Sequence, residues 1–250
     1  MAVKIIEQCQ ITPSSGAPSE QILKLLHMDM IFLYIPNILK TLIFYSFPCS
    51  ESHFLDKIVP NLKTSLSITL KHFPPMAGKI VIDNGMPVSR YIAGQDSFPL
   101  TVAVSYSDLV NLTGHHPKDA PLLHDFAPRL DEALSPVTKL TVAAIQVTLF
   151  PNQGVCIGLT RNHAICDGAT IVRFLEMWAS INKFEGDESG FVALGQKYLP
   201  FYDRGIVRDG DRLAVECWRQ MAMSPYPVSV VSSYTRRYQA TFILREACLN

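Results

Sequence analysis

Residues 140–160 constrain this chain more than any other stretch. Apolar side chains run almost unbroken from Leu140 to Phe150, Pro151-Asn152-Gln153 interrupts them, and Gly154-Val155-Cys156-Ile157-Gly158-Leu159 resumes them. Two short apolar runs around a turn read as a hairpin with little exposed face. Beyond it Ile171, Phe174, Leu175, Trp178 and Ile181 recur at helical spacing, which predicts an amphipathic helix. A hairpin that feeds a helix needs layers packed against it, so the expected fold is mixed α/β, a mixed β-sheet flanked by helices.

The junction between that hairpin and that helix carries His163-Ala164-Ile165-Cys166-Asp167-Gly168. Histidine has an ordinary pKa close to physiological pH, so it can take a proton from a hydroxyl and return one in the same turnover. Seated between two buried elements, His163 has the rigidity a general base needs; the alternative reading is a half-buried histidine satisfied by a backbone group. The Asp167 carboxylate, four residues on, is placed to hold the imidazole tautomer. Thr170 stands at a position suited to capping the helix. A control lies within the same chain. His115-His116-Pro117-Lys118-Asp119 repeats the spacing in a polar stretch with no strand before it and no helical pattern after it, so it reads as a surface loop.

Other elements follow from local pattern. Residues 4–11 alternate as a first strand, and residues 12–19 form a turn rich in Pro, Ser and Gly. Residues 23–47 are apolar and are expected to pack inward. Phe54, Ile58, Leu62, Leu66 and Leu70 fall on one helical face, with Pro60 predicted to kink or split the helix. Asp83-Asn84-Gly85 between two apolar runs is a strong hairpin signal. Residues 185–223 read as a connector with only short helical pieces, and Tyr238, Ala240, Phe242 and Leu244 alternate as a strand that continues to 249.

Composition removes several function classes. Of 250 residues, 48% are hydrophobic and 18% charged, enough for a sizeable core. Lys plus Arg and Asp plus Glu both total 22, which leaves no basic footprint for nucleic acid or an anionic membrane. The apolar stretch at 28–47 is interrupted by Asp29, Pro36, Asn37 and Lys40, and its longest unbroken apolar run, Met30 to Ile35, is too short to span a bilayer. Glu7 falls where a secretory signal needs its apolar region, so a cytoplasmic location is expected. The six cysteines are scattered, which argues against disulfides. No further ligands accompany His163 and Cys166 at metal-binding spacing, and no bound cofactor is expected.

Four ordered blocks make the chain resemble the N-terminal half of a plant BAHD acyltransferase, near the flavonoid and phenolic-glucoside malonyltransferase branch. They are the segment from Ser65 to Phe73-Pro74-Pro75-Met76-Ala77-Gly78, then Gln146-Val147-Thr148-Leu149-Phe150, then His163 to Gly168, and last Leu199-Pro200-Phe201-Tyr202-Asp203-Arg204. The resemblance implies the N-terminal domain of the chloramphenicol-acetyltransferase-like fold. It also implies an acyl-CoA-dependent O-acyltransferase that moves malonyl or another acyl group from acyl-CoA, a co-substrate, to a hydroxyl of a phenolic or flavonoid glucoside. His163 would be the catalytic base. Asp167 would be structural, turned from the acceptor and paired with an arginine of a second domain, and Gly168 would let the backbone turn tightly. Arg173, in the helix that follows, is the candidate for binding a donor carboxylate.

The same resemblance sets the expected organisation. Residues 1–184 would form the domain that carries the His163 motif, 185–223 a crossover connector, and 224–250 the first strand of a truncated second domain. Full-length members would be monomers that take a small-molecule acceptor and acyl-CoA, with neither nucleic acid nor membrane as partner. The family's Asp-Phe-Gly-Trp-Gly segment does not occur in the 250 residues. The alternative expectation is therefore a non-catalytic half-enzyme with an interaction or regulatory role, or a pseudogene product. Asp29-Met30-Ile31-Phe32 stands where an aromatic-Asp-x-x-Trp pattern is usual.

Overall fold

The computed structural model describes residues 3–34, 38–114, 116, 118–130, 139–184, 199–208, 210–223 and 238–239. In chain order the elements are β1 (Val3–Ile11), β2 (Glu20–Lys24), α1 (His27–Tyr34), β3 (Ile38–Ser46), α2 (Glu51–His53), a π-turn (Phe54–Ile58), α3 (Val59–His72) and α4 (Pro74–Ala77). Next come β4 (Lys79–Asp83), β5 (Met86–Ile92), β6 (Phe98–Ser105), α5 (Leu109–Thr113), β7 (Lys118–Asp119) and a 3₁₀ segment (Ala120–Phe126). They are followed by β8 (Leu140–Thr141), β9 (Ala143–Phe150), β10 (Gly154–Asn162), α6 (Gly168–Lys183), a 3₁₀ turn (Arg204–Ile206), α7 (Gly210–Met223) and β11 (Tyr238–Gln239).

The principal sheet has the order β1-β6-β9-β10-β3. Only β6 and β9 run parallel in it; the other neighbours are antiparallel. Every residue of β9 is buried, as its near-continuous apolar sequence requires of a central strand. A second, four-stranded sheet has the order β2-β5-β4-β8. The β4–β5 turn has both central residues at positive φ, Asn84 at 47° and Gly85 at 79°, the hairpin geometry that Asn-Gly favours.

Helices α3 and α6 cover one face of the principal sheet. Leu66, Leu70, Phe174, Met177 and Ile181 pack there against Val102, Ile145, Val147 and Leu159. Phe174 meets Phe73 edge-on at 5.4 Å. The two helices are also stitched by polar contacts, since Trp178 Nε1 donates to Ser65 Oγ at 3.0 Å and Asn61 Nδ2 donates to the Asn182 carbonyl at 3.2 Å. Over the other face, Leu109, Leu112 and Phe126 pack on Phe150 and Cys156. Gly158 is what admits this layer, because a Cβ there would stand 1.8 Å from the Phe126 carbonyl oxygen.

Three expectations are refined. Residues 51–72 form one continuous helical run, and Pro60 follows directly on its π-turn, whose wider ladder absorbs the irregularity of a residue without an N–H. Residues 38–46 form the half-buried edge strand β3 rather than deep core. Residues 210–223, read as connector, form a 14-residue helix whose Ala214, Cys217, Trp218 and Met221 pack on the core. The strand expected through 249 lies outside the described residues, except for β11, which pairs with β7.

Candidate active site

Strand β10 ends at Asn162, and this buried residue builds the turn that follows. Its backbone N–H donates to the Val142 carbonyl at 2.8 Å, and its carbonyl accepts from Ile165 and Cys166 at 3.3 and 3.1 Å. Its side-chain oxygen accepts from the Ala164 N–H at 3.0 Å. Asparagine side chains bond their own backbone two residues on in this way, mimicking a turn. Ala164, Ile165 and Cys166 are buried, so the backbone of the His163 turn is fixed from both sides.

His163 is half-buried, and its ring lies flat on Phe32, with centroids 4.0 Å apart and planes 3° apart. Nδ1 is buried with no hydrogen-bond partner among the described residues, so Nε2 is the nitrogen left to meet a hydroxyl. Asp167 makes no hydrogen bond or ion pair with His163 here. It is the N-cap of α6, and Oδ1 accepts from the Thr170 N–H at 2.7 Å. The helix therefore starts at Gly168, and Thr170 supplies the capped N–H rather than the cap. Burial pushes the Asp167 carboxyl up, but hydrogen bonding from Thr170 and the charges of His163 and Arg204 outweigh it and hold the group below its ordinary value.

Beneath this turn, Cys166 Sγ sits 3.1 Å from Met76 Sδ. Burial pushes the Cys166 thiol up to about 12, and a thiol held protonated is no nucleophile. The contact explains why two motifs 90 residues apart belong together, since Met76 of the Phe73–Gly78 block is the floor of the His163 turn. Among the described residues no group of three or more His, Cys, Asp or Glu could hold a metal ion.

A cleft of about 350 Å³ opens on the Asp167 side, walled by Phe73, Met76, Ile165, Arg173, Tyr202 and Arg204. Asp167 and Arg173 line this cleft, and His163 is not among its walls. Arg173 is exposed there. Gly168 is also exposed, its φ lies outside the left-handed region, and an added Cβ would meet nothing within 4 Å. The Pro200-to-Arg204 block closes the cleft. Tyr202 donates to the His72 carbonyl at 3.2 Å, and burial raises its phenol. Arg204 pairs with Asp29 at 3.0 Å. Burial raises the Asp29 carboxyl, against the lowering effects of the Leu26 N–H and Arg204.

Sequence reasoning missed Asn162, Phe32 and the Asp29–Arg204 pair. For Phe32 a signal was present: Asp29-x-x-Phe32 keeps the spacing of the aromatic-Asp-x-x-Trp pattern, with phenylalanine as the final aromatic. A second hollow of about 470 Å³, lined by Gln8, Thr101, His124, Arg129 and Gln146, includes none of the four predicted site residues. Among the described residues no helix is long and apolar enough to cross a membrane.

Comparison with known proteins adds sequence and fold relatives. The model of the Transferase family matches residues 1–192. Phenolic glucoside malonyltransferase 1 of Nicotiana tabacum is 37% identical over 247 residues, covering 96% of this chain and 53% of the relative. A malonyl-coenzyme:anthocyanin 5-O-glucoside-6'''-O-malonyltransferase of Salvia splendens is 35% identical, covering 97% and 53%. A coumaroyl-CoA:anthocyanidin 3-O-glucoside-6''-O-coumaroyltransferase of Arabidopsis thaliana is 39% identical over 217 residues, covering 84% and 46%. The chain thus spans about half the length of the curated relatives it matches. Among solved structures, vinorine synthase aligns with a TM-score of 0.62 at 23% identity, over 84% of this chain and 48% of that one, a likeness of fold.

Proposed function

This chain belongs to the Transferase family, the BAHD acyltransferases, and from that premise we propose that it moves an acyl group from acyl-CoA to a hydroxyl of a plant phenolic or flavonoid glucoside. Malonyl is the donor group favoured, because the Nicotiana and Salvia relatives are named malonyltransferases. Residues 1–184 are the acyltransferase domain, 185–223 the crossover connector and 224–250 the start of a further domain. The protein acts in the cytoplasm, and full-length members of the family act as monomers.

In the proposed step, His163 Nε2 takes the proton of the acceptor hydroxyl as its oxygen attacks the thioester carbonyl. The new O–C bond forms, the C–S bond breaks, and the departing CoA thiolate takes the proton from the imidazolium. The enzyme forms no covalent intermediate, in keeping with a Cys166 that burial holds protonated. Asp167 shapes the turn through its helix cap, Gly168 begins the helix that the cap closes, and Arg173 meets a donor carboxylate from the cleft.

The observation that carries this reading is the imidazole itself: held at a strand end by a rigid turn, with Nδ1 sealed and Nε2 left outward. The test measures CoA release from malonyl-CoA with a panel of phenolic glucosides, beside His163→Ala. Acceptor-dependent release that the substitution abolishes supports the reading. Release that survives it removes His163 from the role of base, and no release from a folded wild-type chain assigns these residues a role without turnover.

A further inference from the structure

We infer that Phe32 is the positioning residue of the base: its ring, flat against the His163 imidazole, fixes the imidazole plane so that the edge carrying Nε2 faces outward. The inference rests on the reading of His163 as general base.

The χ2 torsion of histidine is soft and roughly two-fold, so a rigid backbone turn does not fix the plane of the ring. Asn162 immobilises the backbone of the turn, yet Nδ1 has no hydrogen bond among the described residues. Among the described residues, then, none supplies the common device for orienting a catalytic imidazole, a polar partner on the second nitrogen. Packing takes its place. The Phe32–His163 planes differ by 3° at 4.0 Å, whereas Phe98 and Phe174, another stacked pair, lie at 29° and 6.1 Å. Rotating the imidazole out of its plane would drive an edge into the phenyl face.

Phe32 can act as a wall because α1 is itself held. The Asp29 carboxylate accepts from the Leu26 N–H at 2.9 Å, which caps the start of the helix, and the same oxygen takes Arg204 at 3.0 Å. Met30 is fully buried. Asp29 and Phe32 are three residues apart and so share one side of the helix. The ion pair therefore braces the side that presents the phenyl ring. One face of the imidazole is occupied, so an acceptor must come to the free edge, and orientation of this kind is among the larger contributors to rate.

The test combines a spectroscopic reading with kinetics on the full chain, using Phe32→Leu, Phe32→Trp and His163→Ala. The carbon-bound ring protons of His163, assigned by their loss in His163→Ala, are expected upfield in the wild type under the phenyl ring current. They should move downfield in Phe32→Leu and stay upfield in Phe32→Trp. With turnover present, Phe32→Leu should lower kcat by roughly 10- to 100-fold while the acceptor KM changes little, and Phe32→Trp should restore most of it. Unmoved ring protons in folded Phe32→Leu overturn the inference whether or not the chain turns over. If Phe32→Leu fails to fold, upfield ring protons that are absent from the wild type or from Phe32→Trp overturn it instead. An inactive His163→Ala beside a fully active Phe32→Leu sinks this inference alone, whereas an active His163→Ala sinks the reading beneath it.

Discussion

Arg204 reaches back across 175 residues to place Nη1 3.0 Å from Asp29 Oδ2. The pair joins the Pro200-to-Arg204 block to α1 at two largely buried side chains. An isolated surface pair contributes little, but here the removal of one partner leaves a carboxylate whose ionised form burial already disfavours.

Arg204→Met should therefore cost about 1–3 kcal/mol at pH 7, read as a lower denaturation midpoint in urea. The pH dependence has a definite sign. The native Asp29 carboxyl already stands above its unfolded value, and losing Arg204 raises it further, so the native state binds the proton more readily than the unfolded one. The stability deficit of Arg204→Met should shrink as pH falls from 7 toward 5. A deficit that grows over that range contradicts the assignment.

Asp167→Ala should lower stability by about 0.5–2 kcal/mol through loss of the α6 cap, and Asp167→Asn by much less. The depressed native carboxyl makes its stabilisation complete above the unfolded value and lost as pH falls through the native one. Melting curves of wild type and Asp167→Ala should thus draw closer in strong acid, the neutral carboxyl keeping only the part of the cap that Asn also keeps. Curves that stay parallel down to pH 2 would show that the carboxylate does not act through its charge.

Two glycines should behave in opposite ways. Gly158→Ala puts a methyl group into the Phe126 carbonyl and should cost 3 kcal/mol or more, on the order of the worst overpacking changes. Gly168→Ala meets open space at the first helical position and should be neutral or stabilising by up to ~1 kcal/mol. Circular dichroism melts of the two variants decide the matter.

Cys156 and Cys166 should resist iodoacetamide at pH 8 in the folded protein, because burial pushes both thiols up to about 12. Cys9, Cys49 and Cys217, each only partly buried, should label first in peptide mass spectrometry. Rapid native labelling of Cys166 would show that the His163 turn opens.

What the sequence disclosed was mostly local. Asn84-Gly85 and Pro151-Asn152-Gln153 declare their hairpins through backbone preference, and the β10–turn–α6 junction through periodicity on either side of it. The helix at 210–223 was obscured because its apolar positions, from Ala214 to Met221, are spaced among Arg212, Glu216 and Arg219 and follow three glycines between 195 and 210. Asp167 and Thr170 are both good capping residues, and only the backbone geometry at Gly168 selects between them. The partnership of Arg204 with Asp29, and of Phe32 with His163, comes from tertiary packing that no window of neighbouring residues contains.

The register of β1 against β6, Val3 opposite Ser105 and Ile11 opposite Phe98, bears on how the protein is made. At about 5–20 residues per second on the ribosome, β1 waits for roughly 5–20 seconds after it emerges before its partner strand exists. For that interval it is an unpaired, β-prone segment beside other nascent chains. Lys4 and Glu7, set among Val3, Ile5 and Ile6, are the charges that keep it from pairing elsewhere, and because β1 stays at the edge of the finished sheet they go on guarding it after folding.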